Sequence, residues 1–150
     1  MRVLVDTNVI IDVLQNRQPW CESGKKIFLA IANKQIIGCV AAKQIADIHY
    51  FSRKQFREQE NIDKKCREVV TKIMALFELL DTLGIDCQEA VALDNNDYED
   101  AILISTAIRS GVDAVITRDS NHYKSVPITV YTTDEFLNHL KDEDKKGHTS

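Results

Sequence analysis

Short apolar runs alternate with amphipathic stretches along this chain, and the alternation predicts its elements. Val3, Leu4 and Val5 form a continuous apolar run, the pattern of a strand buried on both faces of a parallel sheet. Ala114, Val115, Ile116 and Thr117 repeat that pattern. Residues 35–40 and 128–131 are rich in β-forming side chains and read as strands, with a short third strand at 77–81. Between them lie helical stripes. Residues 9–14 predict a helix that ends near Asn16 to Gln18, before Pro19, with Asp12 off its apolar face. Ile27, Phe28, Ile31 and Ala32 mark a second helix over 20–33. Further helices are expected over 42–53 and 61–77, from Asp86 or Cys87 through Leu93, and from Thr133 through Leu140. A polar turn at 95–100 opens another, with Asp97 as N-cap and Gly111 as its C-terminal stop.

No internal repeat or linker interrupts this order. One domain is expected over 1–140, followed by a charged, frayed tail at 141–150. Strand–helix alternation predicts an α/β fold: a three-layer α/β/α sandwich with a central parallel sheet.

Composition narrows the class. The chain has 150 residues, of which 44% are hydrophobic and 28% charged, as in an ordinary globular domain. No apolar run approaches the ~20 residues that span a membrane. The N-terminus enters a strand directly, without a signal-peptide pattern, so a cytoplasmic protein is expected. Cys21, Cys39, Cys66 and Cys87 form no C-x-x-C pair. They read as buried free thiols rather than zinc ligands. A net charge of −4 argues against a general nucleic-acid coat but allows a local basic patch.

The chemistry lies in the carboxylates. Asp6 ends the first strand, Asp47 follows the second, and Asp119 follows the strand of Val115 and Ile116. Asp100 lies in the first turn of the helix that feeds that strand. In an open parallel sheet, ligands bind outside the carboxyl ends of the strands. The pattern therefore gathers three or four acids into one cleft. Such like charges repel unless a cation joins them. Oxygen ligands without His or Cys suit Mg²⁺ or Mn²⁺, which activate water and stabilise charge on a phosphoryl group. Each acid also has a local explanation. Asp6, Asp97 and Asp100 stand where helix caps stand, Asp119 suits a turn, and Asp47 suits an exposed helix face.

Three stretches carry a resemblance. Val-Asp-Thr-Asn-Val-Ile-Ile-Asp at 5–12, Asp-Tyr-Glu-Asp-Ala at 97–101 and Val-Ile-Thr-Arg-Asp at 115–119 resemble the signatures of PIN-domain proteins. The likeness runs from Arg2 to about Leu140, and the size resembles stand-alone VapC-type toxins of toxin–antitoxin pairs. It implies a metal-dependent endoribonuclease with Asp6, Asp100 and Asp119 as metal-binding acids. Asn8 matches the polar residue beside the first acid, and Thr117 a small polar residue before the last. The family's second acid is usually Glu in a Ser-x-x-x-x-Glu-Leu frame. Here Ala42 replaces the Ser, and Asp47, one methylene shorter, takes the acid's place.

The resemblance further implies an RNA substrate, an antitoxin partner and a homodimer. The apolar residues of the first two helices, or those from Phe51 to Ile62, are candidates for the dimer surface. Arg53, Lys54 and Arg57 open a basic run that reads first as a solvated helix-loop-helix face and also suits phosphate contacts. An aspartyl-phosphatase reading of the haloacid-dehalogenase kind needs a second Asp two residues after the first, and position 8 is Asn. The alternative from another class is a PIN fold that binds RNA or protein without catalysis.

Overall fold

The computed structural model describes residues 1–93, 97–123 and 125–147. Five strands build its sheet: β1 (Arg2–Val5), β2 (Ile37–Ala41), β3 (Glu78–Leu80), β4 (Ala114–Thr117) and β5 (Thr129–Thr132). All pairings are parallel, and the order across the sheet is β3-β2-β1-β4-β5. The chain leaves β1 towards one edge and later returns to its other side. The topological switch point therefore lies between β1 and β4, where open α/β sheets bind ligands.

Seven helices among the described residues cover the sheet: α1 (Thr7–Leu14), α2 (Cys21–Ala32), α3 (Ala42–Gln55), α4 (Ile62–Leu76), α5 (Gly84–Ala90), α6 (Tyr98–Arg109) and α7 (Thr133–Gly147). The side-chain period of two along each strand sorts the core into two halves. Val3, Val5, Val40, Ala114 and Ile116 face one cluster, with Val9, Ile10, Ile27, Ile48 and Phe136 from the helices. Leu4, Cys39, Ala41 and Val115 face the other, with Leu103, Ile104 and Ala107 of α6. The expected α/β/α sandwich with a central parallel sheet is thus the observed fold.

Two glycines are fixed by geometry. A Cβ on Gly38 would meet Ile31 Cδ1 at 2.4 Å, so β2 and α2 approach only because none is there. Gly111 has φ +68°, the left-handed conformation that ends α6 as the sequence predicts.

Most predicted elements shift by a residue or two, as helix ends do. Four differences have physical causes. Helix α7 does not stop at Leu140 but runs to Gly147, so the expected frayed tail is helical through that residue. Acids in its first turn and Lys145 and Lys146 in its last complement the helix dipole. Asn95, Asn96 and residues 148–150 lie outside the described residues. Asp12 is 1% exposed rather than turned away from the core. It is tolerated there because Arg118 donates to both of its carboxylate oxygens, at 2.9 and 2.6 Å. Val9, Ile10 and Ile11 of α1 are buried, which removes those three as a dimer surface. A 3-10 turn at Ser120–Tyr123 was not anticipated. All four cysteines are free thiols. No helix of the described residues is long and apolar enough to cross a membrane.

Candidate active site

The carboxyl ends of β1, β2 and β4 open into a cavity of about 620 Å³. Asp6, Asn8, Asp47, Asp100, Thr117 and Asp119 all line it. Each arrives by a different local device.

Asp6 is the first residue beyond β1. Its amide donates to Ile116 O at 2.8 Å, continuing the β1–β4 ladder. It occupies the N-cap position of α1, but its side chain makes no capping hydrogen bond. Instead Oδ2 accepts from Thr117 Oγ1 at 2.9 Å and from Tyr123 Oη at 2.8 Å. Burial raises its carboxyl above the usual carboxylate range, against the pull of those two hydroxyls and the Thr7 amide. The Tyr123 phenol is in turn pushed above its ordinary value, by burial and by the negative charges of Asp6 and Asp100.

Asp100 sits in the first turn of α6. Asp97 caps that helix, its side chain accepting from Glu99 N and Asp100 N at 2.9 and 3.3 Å. The cap thereby sets where Asp100 stands. Asp119 is exposed and follows β4, with Oδ1 accepting from Asn121 N at 2.9 Å. It makes a turn and lines the cleft at once. Asp47 comes from α3, whose Lys43, Asp47, Tyr50 and Phe51 share the face turned to the cavity.

The cleft is not as free of cations as the sequence pattern implied. Arg17, Lys43 and Arg118 also line it. Lys43 Nζ lies 2.8 Å from Asp47 Oδ2 and 4.0 Å from Glu99 Oε2. Burial pulls the Lys43 ammonium down, but Asp47, Glu99 and Asp100 together hold it above its usual value. Arg118 spreads its guanidinium over the Trp20 ring at 4.3 Å while it grips Asp12.

Sequence reasoning missed the floor of the site. Gln44 is fully buried; its Oε1 accepts from Ala41 N at 2.7 Å, and its Nε2 donates to Val5 O at 2.8 Å and Thr7 Oγ1 at 3.2 Å. It ties the ends of β1 and β2 together beneath Asp6 and Asp47. A Gln at the third position of a helix is a capping-box signal, and Lys43 stands four residues before Asp47; both were readable. Tyr123 left no such signal, because its partner lies 117 residues away.

The basic run is only partly at the site. Arg53, Lys54 and Arg57 are exposed and do not line the cavity. Lys54 Nζ stacks on the Tyr50 ring at 4.7 Å, and Tyr50 does line it.

The donor set suits a hard divalent ion. The acids contribute oxygen only, and Asn8 Oδ1 is buried without a hydrogen-bond partner among the described residues. Asp6, Asp100 and Asp119, with Asn8 beside them, would hold such an ion. Among the described residues, however, no three His, Cys, Asp or Glu side chains converge tightly enough to form a ready-made cage.

Comparison with known proteins agrees with this architecture. VapBC-1 of nontypeable Haemophilus influenzae superposes with a TM-score of 0.64 at 14% identity, over 89% of this chain and 99% of that one. A toxin–antitoxin complex from Klebsiella pneumoniae gives 0.62 at 20% identity, over 87% and 97%. VapC20 of Mycobacterium tuberculosis, a sarcin–ricin loop cleaving toxin, gives 0.59 at 11% identity, over 80% and 92%. No curated protein matches the chain in sequence. The family described as PIN domain matches residues 2–121. With the parallel sheet, the acid-lined cleft at its switch point and a family match over most of its length, the chain belongs to the PIN-domain family.

Proposed function

We propose that the chain is a Mg²⁺- or Mn²⁺-dependent endoribonuclease that hydrolyses RNA phosphodiester bonds and acts as the toxin of a toxin–antitoxin pair. One observation carries this reading: acids from the ends of β1 and β4 and from α3 and α6 line a single cleft at the sheet's switch point. PIN-domain proteins are nucleases as a class, and solved neighbours of this fold include a toxin–antitoxin complex and a sarcin–ricin loop cleaving toxin. Asp6, Asp100 and Asp119 would hold the ion, and Asp47 lines the same cleft as the fourth acid. When bound, the ion supplies positive charge to phosphoryl oxygens and acidifies a water. Thr117 and Tyr123 fix the rotamer of Asp6, while the Asp97 cap fixes the backbone that carries Asp100. A homodimer belongs to the same proposal, its face lying outside the buried stripe of α1.

The test is cleavage of an end-labelled RNA panel. Fragments are expected with Mg²⁺ or Mn²⁺ and none after chelation, with activity returning when metal is restored. RNA that stays intact under every metal condition would favour the second reading, a binding module without catalysis. The Lys43–Asp47 pair and the absence of a ready-made acid cage among the described residues are what favour that alternative.

The basic run gives a separate expectation. If Arg53, Lys54 and Arg57 contact phosphates, changing all three to Ala raises KM and flattens the dependence of RNA binding on salt, by about 0.7 in log–log slope per lost contact. Turnover at saturating RNA is retained. An unchanged slope in a filter-binding salt series assigns the run to a solvated helix face.

A further inference from the structure

Positive charge is placed unevenly in the cleft. Arg118 is committed to Asp12, and Arg17 lies 3.9 Å from the same carboxylate. Lys43 instead stands among acids that come from two elements, Asp47 of α3 and Glu99 of α6. An exposed pair four residues apart on one helix is the ordinary account of Lys43 and Asp47. Two features exceed it. The lysine side chain is only 23% exposed, and its ammonium faces an acid of a second helix across the same cavity.

An ammonium has three N–H donors. One is used at 2.8 Å by Asp47, and Glu99 at 4.0 Å lies beyond hydrogen-bond distance. Among the described residues, donors are therefore left for a further acceptor in the cavity. A divalent ion bound to Asp47 would meet the ammonium at close range, and the repulsion between them disfavours both staying.

We infer that Lys43 is a built-in cation of this cleft: it occupies the Asp47 end, restricts the site to one divalent ion, and offers its spare N–H bonds to a phosphate oxygen of the bound RNA. The inference rests on the metal-nuclease reading above. It makes Lys43 a positioning and substrate-binding residue and gives Asp47 the task of holding it.

Counting Mn²⁺ by electron paramagnetic resonance on the full chain tests the first half. The wild type is expected to bind one ion, Lys43→Met two, and Lys43→Met with Asp47→Asn one again. Lys43→Arg, which keeps the charge, binds one. Two ions in the wild type, or one in Lys43→Met, overturns the inference while the metal-nuclease reading stands. No ion in the wild type overturns both. Circular dichroism checks that each variant is folded, and Lys43→Gln replaces Lys43→Met if the latter is not.

RNA binding tests the second half. In an Asp6→Asn background, which keeps the RNA intact, adding Lys43→Met is expected to lower the salt slope by about 0.7. A slope that does not move overturns the phosphate contact.

Discussion

Asp6→Asn is expected to reduce RNA cleavage by about 10³-fold or more. A bound metal ion contributes several kcal/mol to the transition state, and each 1.36 kcal/mol is a factor of ten. The variant keeps its fold. The amide oxygen can still accept from Thr117 and Tyr123, which reach Asp6 Oδ2 at 2.9 and 2.8 Å. Its stability should also change with pH in a defined direction. Burial raises the Asp6 carboxyl above its ordinary value of 3.8. Between 3.8 and the raised value the folded chain binds more protons than the unfolded chain, so wild-type stability falls as pH rises through that window. Asn has no proton to lose. In the absence of metal, the variant's advantage over the wild type is smallest in acid and grows towards neutral pH. Denaturant melts at several pH values read this difference directly. Cleavage by Asp6→Asn at the wild-type rate, in a preparation free of contaminating nuclease, would sink the metal-nuclease assignment.

The largest expected effect on stability is at Gln44. Leu has nearly the same size, so Gln44→Leu removes the polar contacts without opening a large cavity. The Ala41 N–H loses an acceptor and the Val5 carbonyl a donor, in a position with no access to water. An unsatisfied buried group costs about 1–3 kcal/mol, so a loss of about 2–4 kcal/mol is expected. For a domain of this size that lowers Tm by roughly 5–15 °C. A melt within about 2 °C of wild type would mean that neighbouring groups or water replace the amide.

The β1 and β4 strands were legible because burial on both faces leaves an unbroken apolar run, and few other structures produce one at that length. The strand-end acids were legible for a related reason. A parallel sheet puts all its carboxyl ends on one edge, so position along the sequence translates into position in space. What escaped was of a different kind. Asp12 looked like the polar face of a helix because its neutralising partner, Arg118, is 106 residues away. Tyr123 lies on a short 3-10 turn with no periodicity to announce it. The length of α7 escaped because a run of charged residues resembles a tail as much as an exposed helix. Pairings that bridge distant segments follow from the finished topology and have no local pattern of their own.

The grip of Arg118 on Asp12 has an electrical consequence. Its charge is cancelled from within and its flat face is covered by Trp20. The β4 wall therefore presents little positive potential to solvent. The α6 wall carries Asp97, Glu99 and Asp100; on α3, Lys43 is itself paired with Asp47, and the exposed Arg53 and Lys54 stand outside the cavity. A field thus runs past the mouth of the cavity, from the basic end of α3 to the α6 wall. An approaching polyanion is drawn to one bank of the cleft and repelled from the other, so the molecule sets the side of approach before any contact forms.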